Sequence, residues 1–195
     1  VGEIAPADLE RLAREYPEAW SSGEMRTFFG AVAAELAIRD AGLGAGPHPR
    51  AGAVIGSGPG VHRLEDVQRF LDPQGRFDPV ALGRNLDQVH PESVMRHAAE
   101  EPAALVAARH GLGGPVHSVT TACSAANQGL GLGLRCVQRG EVDWVVAGGT
   151  DGMVNPMGHV FFVLLGADAA AEGDPAGACR PFDRRRSGLV LAEGA

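Results

Sequence analysis

Val116-His117-Ser118-Val119-Thr120-Thr121-Ala122-Cys123-Ser124-Ala125-Ala126-Asn127-Gln128-Gly129 divides into three parts. Val116, Val119, Thr120 and Thr121 are β-branched and favour an extended chain. From Ala125 to Val137 there is no proline, and Leu130, Leu134 and Val137 follow helical spacing. Cys123 therefore falls where a strand hands over to a helix. A sulfur there faces the unpaired N–H groups of a first turn and the positive end of the helix dipole, and both stabilise an anion. Most cysteines are small core hydrophobes, so the thiol alone decides nothing.

Its surroundings add weight. Gly129, Gly131 and Gly133 lie inside the helix, where each costs roughly 1 kcal/mol against alanine, and they predict close approach of another backbone. Gly140 to Gly149 reads as a turn, a buried strand and a glycine pair. Strand, helix and strand make a βαβ unit with the thiol at the end of its first strand. Ligands of α/β sheets bind at the carboxyl ends of strands.

Four segments now stand in order: Thr121-Ala122-Cys123-Ser124-Ala125, Ala147-Gly148-Gly149-Thr150-Asp151, Arg180-Pro181-Phe182-Asp183, and Leu189-Val190-Leu191-Ala192-Glu193-Gly194-Ala195. Together they resemble the N-terminal half of an elongating β-ketoacyl-[acyl-carrier-protein] synthase, from about residue 24 onward. This is the condensing branch of the thiolase superfamily, used in type II fatty acid and polyketide synthesis. The resemblance implies an α/β, thiolase-like fold, of which residues 1–195 would be most of the N-terminal αβα half, trimmed at the front and lacking the C-terminal half. It implies a dimer, or a heterodimer with a related synthase subunit, and acyl carrier protein as partner. No cofactor is implied; substrates arrive on the phosphopantetheine of the carrier.

For the chemistry, the resemblance makes Cys123 the residue that takes the acyl group, its own N–H contributing to an oxyanion hole. Malonyl-carrier protein then loses carbon dioxide, and the enolate attacks the thioester to give a 3-oxoacyl product. Two histidines and a lysine of the family's C-terminal half serve that second step. None of His48, His62, His90, His97, His110, His117 and His159 matches those motifs, and the chain has no lysine. His117 lies six residues upstream of Cys123, about 20 Å away along an extended strand. The chain is therefore expected to need its missing half for condensation. Phe162, by its register from Cys123, matches a position lining the acyl channel, and Met95 falls in a region forming the pocket wall. The stretch before the family's core is often basic and helps dock the carrier; here it reads Ser22-Gly23-Glu24-Met25-Arg26. Two alternatives differ in class. A non-condensing, chain-length-factor-like partner or scaffold usually lacks the thiol. An unrelated thiol acyltransferase or hydrolase needs its own histidine near Cys123.

Composition narrows the remainder. A chain of 195 residues with 45% hydrophobic and 21% charged residues is an ordinary globular composition. A net charge of −7 argues against nucleic acid or an anionic membrane as partner. No apolar run approaches about 18 residues, and no signal peptide is found, so a cytoplasmic location is expected. Cys123, Cys136 and Cys179 lack C-x-x-C spacing, which gives no metal site.

Elsewhere the pattern is coarser. Residues 3–15 read as an amphipathic lead-in. Glu24 to Ala41 reads as a helix with Met25, Phe28, Phe29, Val32, Leu36 and Ala37 inward and Arg26, Glu35 and Arg39 mostly outward. Ala51 to Gly56 is a strand. The turn Ser57-Gly58-Pro59-Gly60 is a poor phosphate loop, since Pro59 removes a donor and no Gly-Lys-Ser/Thr follows. Val61 to Leu71 looks helical, Asp78-Pro79 and Pro91-Glu92 are helix starts, and Pro102 to His110 packs through Leu105, Val106 and Ala108. His159 to Leu165 reads as a core segment. The arginines at 180 and 184–186, beside Asp183, read as structural ion pairs on a solvated turn.

Overall fold

The structure, a computed structural model, describes residues 2–60, 67–89, 97–170 and 173–195. Met95, His90, the Pro91-Glu92 start and most of the Val61–Leu71 segment lie outside these residues. The chain forms two compact units. One gathers 4–60, 94–152 and 194–195 around a sheet; the other gathers 1–3, 61–93 and 153–193.

Among the described residues the sheet unit has three parallel strands in the order β2-β1-β3: β1 Ala51–Ser57, β2 Val116–Val119 and β3 Trp144–Thr150. All seven residues of β1, the central strand, are buried, and they are Ala, Gly, Val, Ile and Ser, small enough to be covered on both faces. Its helices are α1 Pro6–Glu15, the single turn α2 Pro17–Trp20, α3 Met25–Asp40, α5 Glu101–His110 and α6 Ala125–Gln138. Ala51 and Ala53 meet Ala34, Val106, Ala107 and Leu112 on one face, with Trp144 and Val146 beside them. α6 covers the other face, where Gly133 approaches Val145 and Ala147. α1 and α2 close over the outer side of α3 through Ile4, Leu9, Leu12 and Tyr16, around Phe28, Phe29 and Val32.

That double covering alters the expected face of α3. Ala31, Ala34 and Ile38 are buried, whereas Leu36 and Ala37 are exposed. Arg26, expected to point outward, is 2% exposed. On α5 the buried set is Pro102, Ala103, Val106 and Ala107, with Ala108 outside, because the helix is turned toward Ala51 and Ala53. Gly111 ends α5 at φ +57°, a left-handed position suited to glycine. Of the three glycines in α6, Gly129 and Gly133 face the sheet, and Gly131 faces open space.

In the second unit, α4 Pro79–Arg84 begins at the expected Asp78-Pro79, where the Asp78 carboxylate accepts from the N–H groups of Val80 and Ala81 at 2.9 and 3.1 Å. α7 Pro156–Leu164 is capped by Asn155. The core reading of His159 to Leu165 does not hold: Val163 and Leu164 are 62% and 79% exposed. Apolar residues run consecutively around α7, so one flank faces out whichever way it packs.

Candidate functional site

Cys123 lies in a one-turn 3-10 segment, Ala122–Ser124, between β2 and α6, as the strand-to-helix reading requires. Ala122 takes φ +50°, in the left-handed region. For a residue with a Cβ that conformation costs about 1–2 kcal/mol. It makes the turn sharp enough to raise the next side chain, and Cys123 is exposed. Ser124 does not cap α6. Its hydroxyl donates back to the Thr121 carbonyl at 2.9 Å and accepts from the Gln128 amide at 2.9 Å. The first-turn N–H groups of α6 are thus left without a side-chain cap beside the sulfur.

The cleft around the thiol, about 250 Å³, is lined by Gly56, Ser57, Gly58, Ala122, Cys123, Ala125, Ala126, Gly149, Thr150, Asp151 and Gly194. It therefore opens at the carboxyl ends of β1 and β3, with the start of α6 between them. The volume is below the roughly 300–1,000 Å³ of small-molecule pockets. A larger hollow at the end of α3, lined by Leu36, Ala37, Arg39 and Asp40, has no thiol or histidine among its described lining residues.

Beneath the cleft lies a buried ion pair that helical periodicity misplaces. The Arg26 Nε donates to Glu24 at 3.2 Å, and the two side chains are 2% and 8% exposed. The Arg26 guanidinium also donates to the Ser57 hydroxyl at 3.3 Å, the Gly58 carbonyl and the Ala98 carbonyl at 3.0 Å. Glu24 in turn caps α3, accepting from the N–H and the hydroxyl of Thr27 at 2.8 and 2.7 Å. The sequence does carry a signal for it: an arginine between Met25 and Thr27, before Phe28-Phe29 and two residues after a glutamate. Buried, it is no docking charge.

The other expected residues are placed as follows. Phe162 lies on α7 in the second unit and is half-buried there. His117 is exposed on β2, in register with Val54, and is not in the cleft lining. Among the described residues the lining contains no histidine. Arg185 lies 3.6 Å from Asp183, the surface pairing expected of that turn. Cys136 is buried, and burial, then Glu141, pushes its thiol up. Among the described residues no group of side chains could hold a metal ion. No helix among them is long and apolar enough to cross a membrane.

The chain is similar to known proteins over most of its length. Residues 24–195 match the family model "Beta-ketoacyl synthase, N-terminal domain". The chain is 32% identical over 173 residues to the chloroplastic 3-oxoacyl-[acyl-carrier-protein] synthase I of Hordeum vulgare, covering 84% of this chain and 35% of the relative. It is 33% identical over 185 residues to the tetracenomycin polyketide synthase ketoacyl synthase alpha subunit of Streptomyces glaucescens, covering 91% and 42%. The chain thus spans less than half the length of either relative. Among solved structures it is similar to a type II polyketide synthase acyl-carrier protein in complex with its ketosynthase, at TM-score 0.71 and 24% identity, covering 88% of this chain and 42% of that one. It is also similar to the ishigamide ketosynthase/chain length factor, at TM-score 0.67 and 29% identity, covering 87% and 39%. The fold is thiolase-like, in agreement with the expectation from sequence.

Proposed function

The chain belongs to the β-ketoacyl synthase family, and on that premise we propose that Cys123 accepts an acyl group from a carrier-protein thioester during chain elongation. The observation that supports this most directly is the exposed thiol on a left-handed turn, at the uncapped start of α6 and facing the carboxyl ends of β1 and β3.

The thiolate attacks the thioester carbonyl, the Cys123 N–H helps hold the developing oxyanion, and the carrier's phosphopantetheine leaves as a thiolate. In the second step malonyl-carrier protein loses carbon dioxide. Its enolate carbon bonds to the acyl carbon and the Cys123 sulfur departs, leaving a 3-oxoacyl-carrier protein. Among the described residues the cleft lining offers no histidine for the enolate, and we propose that this role falls to residues outside that lining. Phe162 and Met95 are proposed to bound the acyl channel. Acyl carrier protein and a second, related subunit are the proposed partners. They are the kinds of molecule present in the two similar structures, one holding an acyl-carrier protein and one a chain length factor. That second likeness also favours an alternative reading as a non-condensing partner; the retained thiol weighs against it.

The test is intact mass of the protein from its source, before and after exposure to acyl-carrier protein. An acyl increment that disappears in Cys123→Ala is expected. An unmodified mass under all acyl donors would sink the reading.

A further inference from the structure

Three distant segments converge on one residue under the Cys123 cleft. Through its side chain, Arg26 binds Ser57 and Gly58 at the end of β1, and Ala98 ahead of α5. Through its backbone carbonyl it accepts the Thr150 hydroxyl at the end of β3, at 2.7 Å. Ser57, Gly58 and Thr150 all line the cleft.

The bonds also fix what those groups can do. The Ser57 hydroxyl accepts from Arg26 and donates to the Gly58 carbonyl at 3.2 Å. Its hydrogen is committed to Gly58 and one of its lone pairs to Arg26, and Ser57 is 3% exposed, so it is not poised as a second nucleophile. The Gly58 carbonyl accepts from both the guanidinium and the Ser57 hydroxyl. A buried cation with four acceptors, Glu24 among them, holds a wall more rigidly than neutral bonds, because charge-assisted bonds are roughly twice as strong. Arginine is well suited to this role, because its planar fork reaches several acceptors at once, which an ammonium on a flexible stem does less well.

We propose that Arg26 is a positioning residue for the acyl-transfer step, fixing the walls of the cleft from β1 and β3 opposite Cys123, with Glu24 as the counter-charge that lets it remain buried. The inference rests on the acyl-transfer reading above. It does not place Arg26 in contact with substrate.

The experiment uses the full protein and four variants: Arg26→Met, Arg26→Lys, Ser57→Ala, and the exposed Arg39→Met as control. Three quantities are read: melting temperature, kcat and KM for Cys123 acylation by an acyl-pantetheine, and the rate of Cys123 alkylation by iodoacetamide. With all variants held well below their melting transitions, Arg26→Met is expected to lower kcat about tenfold or more with KM changed less than about twofold, since small misplacement of a reacting geometry can cost up to about 10²-fold. Arg26→Lys should recover part of that loss, and Ser57→Ala, which buries no lone charge, should show a smaller fall in kcat. A lower melting temperature with wild-type kcat in the folded fraction would overturn the proposal and leave Arg26 a structural brace. If no acyl donor modifies the wild type, the acyl-transfer reading fails first. Alkylation then decides the position of Cys123 alone: an unchanged rate in both Arg26 variants overturns the inference, and a change of at least about threefold supports it.

Discussion

Gly56 at the end of β1 lies so close to Ala126 in the first turn of α6 that a Cβ at position 56 would sit 2.5 Å from the Ala126 amide nitrogen. Gly149 on β3 meets the same residue, its Cβ position 2.6 Å from the Ala126 Cβ. The helix that carries the thiol on its leading turn is seated by two glycines on neighbouring strands. Gly56→Ala is expected to destabilise by about 1–3 kcal/mol or more, because the overlap is with backbone that cannot swing aside. Gly131→Ala, on the open side of the same helix, should instead stabilise by about 1 kcal/mol. Chemical denaturation of both variants checks the opposite signs.

Removal of Glu24 tests the buried ion pair. Glu24→Ala takes away the α3 cap and leaves the Arg26 charge buried without its partner. The expected loss is about 3–5 kcal/mol. The double variant Glu24→Gln, Arg26→Met should be less destabilised than Glu24→Ala, since neither charge remains. Equal loss in the two would contradict a charge-based origin.

Thiol mapping separates the three cysteines. Cys123 and Cys179 are exposed, and Cys136 is buried with its thiolate disfavoured. Brief iodoacetamide treatment of the folded protein near neutral pH should label Cys123 and Cys179 and leave Cys136 at least about tenfold slower. Peptide mass analysis gives the ratio, and early labelling of Cys136 would refute its placement in the core.

His110 sets a pH dependence. Burial lowers its pKa below the ordinary 6.5; Glu35 opposes this, and Arg109 and His48 add to it. The unfolded chain therefore binds the proton more readily, and stability rises with pH through this window. The full stability is present above about 6.5 and is lost as pH falls below it toward the folded value. Melting temperatures from pH 7.5 to 5 should decline, and His110→Gln should flatten part of the slope.

Leu130, Leu134 and Val137 form a stripe along the outer side of α6, 51%, 58% and 39% exposed. An apolar stripe of this kind drives association. The 195-residue chain on its own should self-associate in sedimentation velocity, and Leu130→Glu with Leu134→Glu should shift it toward monomer. A monomeric wild type at tens of micromolar would count against this.

Part of the site is legible in the amino-acid sequence. Cys123 and the strand-to-helix turn follow from local preference, as do the α5 stop at Gly111 and the Asp78-Pro79 helix start. The turn after β1 looks like mere punctuation in sequence, although Ser57 and Gly58 prove to be walls of the cleft. Arg26 looks like a surface charge because helical periodicity assumes one buried face, and α3 is covered on two.

The sequence by itself determined the βαβ unit, its thiol and its glycines, because strand preference, helical spacing and turn chemistry act over a few neighbouring residues. Tertiary structure alone decided that β1 lies between β2 and β3, that Gly129 and Gly133 face the sheet while Gly131 does not, and that Arg26 reaches Ser57, Gly58 and Ala98. Those outcomes depend on strand register and on which surface covers each helix face. Both are fixed by contacts between residues distant in sequence, such as Ala53 beside Val116 in the sheet and Arg26 bonded to Thr150, 124 positions away, which no local pattern records.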